Sequence, residues 1–249
     1  MIALRSTQDI DAIARAGAII GQLHAALAQR VAPGVTTQDL DAFGDEFIRS
    51  HAGAVPAFKG LYGFPASLCI SINEEVVHGI PSSRRVLRSG DIVTVDAGVK
   101  LDGWFADAAH TFAVGEIDDE TERLLRVTRE ALQAGIAAAR PGNHLGDIGH
   151  AVQQVAEAAG FSVVRDLVGH GIGREPHEEP QVPNFGRPGR GIALRPGLVI
   201  AIEPMVNAGT ASVRTLPDRW TVVTADRKRS AHYEHTVAVV DGGARILTA

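Results

Sequence analysis

The segment VGHGIGREPHEEP, residues 168–180, holds two histidines, three glutamates and three glycines in thirteen positions. Imidazoles and carboxylates at this density point to metal binding or acid–base chemistry, yet no local motif completes itself. Gly169, Gly171 and Gly173 form GxGxG, not the GxGxxG of a dinucleotide loop. His177-Glu178 begins like the HExxH helix of a zinc peptidase, but Gln181 stands where the second histidine belongs. Pro180 would also break that helix. Any partners of His170 and His177 must therefore come from elsewhere in the chain.

Carboxylates supply candidates. IVTVDAGV (92–99) reads as a buried strand ending near Asp96, and GWFADAAHTFAV (103–114) as the next strand. A tight turn at Asp102-Gly103 joins them. With the loop centred on Leu101-Asp102, Asp96 faces Asp107 directly; with the loop centred on Asp102-Gly103 the two are diagonal neighbours. Both registers place the carboxylates about 4.5–8 Å apart on one face. Further on, GLVIAIEP (197–204) is an apolar strand ending at Glu203. SAHYEHTVAVV (230–240) is another, with Glu234 facing the same way as Thr236 and Ala238. No arginine occupies a matching position, and buried charges need partners. Four carboxylates with one imidazole suit two divalent ions, Mn, Fe or Co before Zn, and do not suit a structural zinc site. Four negative ligands also balance two such ions. A pair of ions about 3.5–4 Å apart can share a hydroxide and direct it at a carbonyl, so the predicted chemistry is hydrolysis.

The elements that position these acids recur along the chain. VAPGVTTQDLDAF (31–43) and ARPGNHLGDIGHA (139–151) share a Pro-Gly turn and an Asp followed by Leu or Ile. Amphipathic helical patterns precede them at 7–30 and 118–139. LRSGDIVTVD (87–96) matches LRPGLVIAIE (194–203), and VHGI (77–80) echoes GHGI (169–172). The order in each half is helix, Pro-Gly turn, helix, His-Gly-Ile, strand ending in a carboxylate. This predicts one α+β domain over 1–249 with two pseudo-symmetric halves, about 7–114 and 116–240, and a pocket between them. His78 is then the counterpart of His170, and Asp96 that of Glu203.

Composition narrows the class. At 249 residues, 45% apolar and 21% charged, with a net charge of −5, the chain has ample material for a core and no basic stripe for nucleic acid. The one basic cluster, Arg227-Lys228-Arg229, is expected to cap a hairpin. A single cysteine, Cys69, fits a reducing compartment, and no apolar run has membrane-spanning length. A cytoplasmic protein without nucleic-acid or membrane partners is expected.

Taken together, CISINEEVVHGIP (69–81), GDIVTVDAGVKLDGWFADAAHTF (90–112), GHGIGREPHEEPQVPN (169–184), IAIEPM (200–205) and RWTVVTADRKRSAHYEHTVAV (219–239) resemble the type I, bacterial-type methionine aminopeptidases of the pita-bread metallopeptidase family. The likeness runs from about Ser6 to Thr248. It implies that Asp96, Asp107, His170, Glu203 and Glu234 are the ligands of two divalent ions (Co, Mn, Fe or Zn), Asp107 and Glu234 bridging both. It selects His170 as the imidazole and gives Glu203 a second task as proton carrier. His177 is implied as the donor to the tetrahedral intermediate, and His78 as the partner of the scissile amide nitrogen. The methionine slot is implied at Phe58, Leu61, Phe64, Cys69 and Trp220. Leu61 stands where bacterial relatives often have Tyr, and Pro176 where a larger apolar residue is common, so the slot's shape departs from the pattern. Partners implied are the N-terminal methionine of nascent chains and, transiently, the ribosome, with a monomeric enzyme. His24, His51, His110, His144, His150 and His232 match no role and read as surface or core; His235 is expected to point away from Glu234.

Two rivals share the fold. Xaa-Pro aminopeptidases and prolidases use the same five ligands, but usually carry an extra N-terminal domain, whereas here the repeat begins within ten residues of Met1. Non-catalytic peptide- or histone-binding modules typically lack the ligands, and here all five are present.

Overall fold

The computed structural model describes residues 2–249. Among the described residues, four α-helices form where side chains close their first turns. Ser6 caps α1 (Thr7–Ala28): its hydroxyl accepts from the Asp9 amide while the Asp9 carboxylate accepts from the Ser6 amide. Thr36 and Asp39 make the same reciprocal pair at α2 (Thr37–Arg49). Each cap contributes about 1 kcal/mol. Asp118 caps α3 (Asp119–Ala138), whose first turn carries Asp119, Glu120 and Glu122 at the positive end of the dipole. At α4 (Leu145–Ala158) the His144 amide donates to the Asp147 carboxylate at 2.6 Å.

Every strand pairing among the described residues is antiparallel. Ile92–Leu101 and Trp104–Ala113 form a long hairpin, and the former also pairs with Leu68–Ile72 and Val55–Pro56. A five-stranded sheet runs in the order Gly243–Ile246, His235–Val240, Val199–Ile202, Gly169–Gly171, Glu178–Val182. Two three-stranded sheets complete the set. The apolar face of α1, with Ile13, Ile20, Leu23 and Leu27 fully buried at helical spacing, packs on the hairpin. A second core, including Leu124, Ile148, Ile200 and Ile202, joins α3 and α4 to the five-stranded sheet.

The two sheets meet along one seam. The Glu234 amide donates to the Ala109 carbonyl at 2.9 Å, and the Thr236 hydroxyl accepts from the Asp107 amide and donates to the Asp107 carbonyl. The acids therefore stand where two independently built sheets touch.

Three expectations change. Asp96 lies in the middle of a ten-residue strand, not near its end, because the hairpin ladder extends to Leu101. Residues 230–240 form two strands, Ser230–His232 and His235–Val240, which pair with different neighbours; Glu234 sits at the break. Arg227-Lys228-Arg229 caps no hairpin: it lies in a connection between strands of different sheets. There Arg229 bonds Asp118, Thr121 and the Gly90 carbonyl.

Candidate metal centre

The hairpin closes with Leu101 opposite Trp104, so Gly98 faces Asp107 and Asp96 faces Ala109. Asp96 and Asp107 are thus diagonal neighbours, as the Asp102-Gly103 register requires. A side chain at Gly98 would place Cβ 2.7 Å from the Phe58 ring, so glycine there lets the aromatic pack against the strand beside Asp107. Glu203 follows the Val199–Ile202 strand, and Glu234 enters from the break in the facing strand.

His170 is the middle residue of Gly169–Gly171. The flanking glycines serve close approach rather than a tight turn, since neither they nor Gly173 has a left-handed φ. Cβ atoms at Gly169 and Gly171 would each lie 2.3 Å from a carbonyl oxygen, of Ala201 and Glu179 respectively. The Nδ1 of His170 lies 2.9 Å from the Gly171 carbonyl. That bond places the proton on Nδ1 and leaves the Nε2 lone pair free as a ligand. Nε2 is 3.6 Å from Glu203 Oε1 and 4.0 Å from Asp107 Oδ2. Ligand atoms of Asp107, His170 and Glu234 all lie within 4.8 Å of one another, and Asp96 and Glu203 line the same cavity. The structure brings together all five expected positions.

Their electrostatics are those of a site short of positive charge. Among the basic side chains of the described residues, only histidines bring a nitrogen within 4.0 Å of these four carboxylates. Asp96 Oδ1, Asp107 Oδ1 and Glu234 Oε1 are buried without a hydrogen-bond partner. Burial pushes the Asp96 carboxyl up to about 7. Burial and then mutual repulsion raise Asp107, Glu203 and Glu234 well above the usual carboxylate range. Burial lowers His170 to about 4, so its imidazole is neutral near pH 7. Leaving one buried charge unpaired costs about 3–5 kcal/mol, and here four face one another. Orphaned carboxylate oxygens beside a free imidazole lone pair are the donor set of a divalent-metal site, and the residues fit that group.

The cavity encloses about 570 Å³. Away from the acids one wall is apolar: Phe58, Phe64 and Cys69 are buried together, with Leu61 and Trp220 against them. All five expected slot residues line it. Phe64 meets Trp220 edge-on at 5.1 Å between ring centroids. His78 and His177 stand between the two ends, His78 edge-on to Trp220 at 6.4 Å and His177 edge-on to His170 at 4.5 Å. His78 has φ 59°, a left-handed backbone costing a non-glycine residue about 1–3 kcal/mol. The turn bearing His177 is tied down through its neighbour, since Glu178 accepts from Arg5 and from the Arg174 and Glu175 amides.

Several cavity residues escaped the sequence reading, His232 and Tyr62 among them. His232, expected in surface or core, is buried but lines the cavity. Its place two residues before Glu234 was the available signal, since strand residues two apart share a face. Tyr62 stacks on His177 at 5.9 Å while remaining 76% exposed; no pattern marks it. His24 and His110 lie instead beside one another at α1 and the hairpin, 6.1 Å apart. His235 points to Thr248, away from the acids.

The sequence profile of metallopeptidase family M24 matches residues 11–241. The methionine aminopeptidase of Clostridium perfringens is 57% identical over 248 residues, covering 100% of this chain and 99% of its own. The chain belongs to metallopeptidase family M24, in its methionine aminopeptidase branch. The Escherichia coli methionine aminopeptidase is 44% identical to this M24 peptidase, covering 99% of the chain and 94% of its own. The crystal structure of methionine aminopeptidase from Rickettsia prowazekii superposes with a TM-score of 0.98 at 42% identity over the whole of both chains. Prolidase from Pyrococcus furiosus, at 21% identity and TM-score 0.79, shares the fold alone, and this M24 peptidase spans 65% of its length. The fold is the pita-bread fold of these relatives.

Proposed function

We propose that this M24 peptidase removes the initiator methionine from new chains whose second residue is small, using two divalent ions. The observation that carries the reading is the cavity's division: four buried carboxylates and a free imidazole lone pair at one end, an apolar aromatic slot at the other. Asp96, Asp107, His170, Glu203 and Glu234 would hold the ions, with Asp107 and Glu234 serving both. Co, Mn, Fe and Zn all suit this set, and availability decides among them. When bound, such ions supply an acidified water and polarise a carbonyl.

The chain's own groups do the rest. Glu203 takes a proton from the attacking water and returns it to the leaving amine. His177 donates to the oxygen that becomes negative, and His78 holds the scissile amide nitrogen. The thioether fits among Phe58, Leu61, Phe64, Cys69 and Trp220, apolar groups that a flexible side chain fills well. Residues 1–249 act as one catalytic domain whose halves, about 7–114 and 116–240, each bring two acids. A monomeric, cytoplasmic enzyme meeting nascent chains, with transient ribosome contact, accords with this substrate. Among the described residues, no helix is long and apolar enough to cross a membrane.

The test is release of the N-terminal residue from Met-Ala-Ser and Ala-Pro-Ser by metal-stripped protein with Mn²⁺ or Co²⁺ restored. Metal-dependent cleavage of the methionine peptide alone is expected. Cleavage of the proline peptide alone moves the chain to prolidase chemistry. Met-Leu peptides should be cleaved more slowly than Met-Ala peptides, and equal rates contradict the small-residue requirement.

A further inference from the structure

His232 faces the cavity with nothing to bond. Its side chain is 2% exposed, and among the described residues neither ring nitrogen has a hydrogen-bond partner. Its backbone is fixed by a single hydroxyl: Thr111 Oγ1 donates to the His232 carbonyl at 2.7 Å and accepts from its amide at 3.0 Å. The Ser230–His232 strand also pairs with Met205–Asn207, setting His232 opposite Met205. Backbone bonds on both sides thus hold the ring where it is.

Its Nε2 lies 3.9 Å from Glu203 Oε2, while Glu203 Oε1 lies 3.6 Å from His170 Nε2. One carboxylate is thus bracketed by two imidazoles, one at each oxygen. The two rings offer different things. The Gly171 carbonyl takes the Nδ1 proton of His170, whose Nε2 presents a lone pair. No acceptor engages Nδ1 of His232, whereas Glu203 Oε2 lies in front of its Nε2. The tautomer carrying its proton on Nε2 is the one that finds an acceptor.

We infer that His232 is a positioning residue for the reaction: its Nε2–H donates to Glu203 Oε2 and holds that carboxylate with Oε1 turned towards the ions and the scissile bond. The inference rests on the reading of Glu203 as ligand and proton carrier. The gap is about 1 Å longer than an N–H···O bond, and the soft terminal torsion of glutamate closes it with a small rotation. With Oε2 engaged, Oε1 is the oxygen that receives the proton from the attacking water and gives it to the amine as the C–N bond breaks.

The test compares His232→Gln, which keeps an N–H donor, with His232→Phe, which keeps bulk without one. Each is assayed on Met-Ala-Ser with Mn²⁺, beside the wild type and Glu203→Gln. His232→Phe should lower kcat about 10- to 100-fold, as loss of a partner behind a metal ligand does, with KM changed only a few-fold. His232→Gln should restore most of that loss. In cobalt-loaded protein, the visible absorption bands should shift in His232→Phe and stay near wild type in His232→Gln. Wild-type kcat and spectrum in His232→Phe overturn the inference, as does a His232→Gln variant equally impaired. Independently of any variant, a wild-type ¹⁵N spectrum showing His232 protonated on Nδ1 overturns it too. Failure of the underlying reading looks different: Glu203→Gln then keeps wild-type kcat whatever stands at 232.

Discussion

At one end of the cavity, buried oxygens of Asp96, Asp107 and Glu234 meet no donor; at the other, Phe58, Phe64 and Cys69 pack against one another and leave nothing unsatisfied. The aromatic end is ordinary core with one open side, and it stabilises the fold whether or not substrate is present. The acidic end opposes folding until cations arrive, because desolvation and like charge penalise every ionised carboxylate there. Neighbouring regions of one cavity thus contribute to stability with opposite signs, and substitutions at each should show it.

The largest effect is expected from Asp107→Asn. With one oxygen ligand weakened, Met-Ala-Ser cleavage should fall on the order of 10³-fold or more, the equivalent of several kcal/mol of lost charge stabilisation. Metal content measured after dialysis should fall as well. The melting temperature of the metal-free protein should nevertheless rise, by about 2–4 °C for each kcal/mol of relieved repulsion. A lower melting temperature would mean that the acid is already paired in the apo-protein, and the contrast would break. Next comes His177→Ala: kcat should fall about 10²-fold, as for a lost oxyanion donor, with bound metal unchanged. Loss of metal there would move His177 to the acidic end.

Phe64→Ala should act the other way round. Its kcat/KM should drop about 10-fold, within the range for a changed apolar pocket, with full metal content. The metal-free protein should melt lower, since Phe→Ala in a core costs about 3–5 kcal/mol. A metal-free melting temperature that rises in both variants would erase the distinction. The smallest effect is a pH dependence. Asp96 is raised to about 7 in the fold from an ordinary value of 3.8. Its contribution to stability is full below the unfolded value and is lost as pH rises through about 7. The buried histidines run oppositely: His24 is lowered to about 3 and His110 to about 4, so their contribution is lost as pH falls. The clean quantity is therefore a difference. Metal-free Asp96→Asn should gain on the wild type as pH rises from 4 to 7, and the gain should vanish when Mn²⁺ is added. A constant difference across that range would remove Asp96 from the repulsive cluster.

Legibility followed the same divide. Asp96, Asp107, Glu203 and Glu234 stood out because a carboxylate in an apolar strand contradicts its surroundings, and a contradiction can be seen without coordinates. The turn near Asp102 narrowed two of them to facing or diagonal places, and the pairing of Leu101 with Trp104 selects the diagonal one. Phe58 and Phe64 contradict nothing, and only resemblance assigned them to the slot. Tyr62 was invisible because its role depends on a left-handed backbone, φ 50°, that aims it at His177. The break at Tyr233-Glu234 was missed because residues 230–240 alternate well enough for one strand; the division arises from tertiary pairing with two different neighbours. His232 fell between these cases, its spacing from Glu234 visible but its empty surroundings not.

The hydroxyl of Thr236 bonds both the amide and the carbonyl of Asp107, at 2.9 and 2.8 Å. That amide lies on the seam between the sheets, so its deuterium exchange requires the hairpin to part from the His235–Val240 strand. Ions gripped by carboxylates from both sides would oppose the same parting. At a free metal concentration of 100 Kd, mass action lowers the open population by about 2.7 kcal/mol, or roughly 100-fold in exchange rate. One backbone proton would then report metal occupancy without any substrate, and its slowing would measure how firmly the ions clasp the two sheets together.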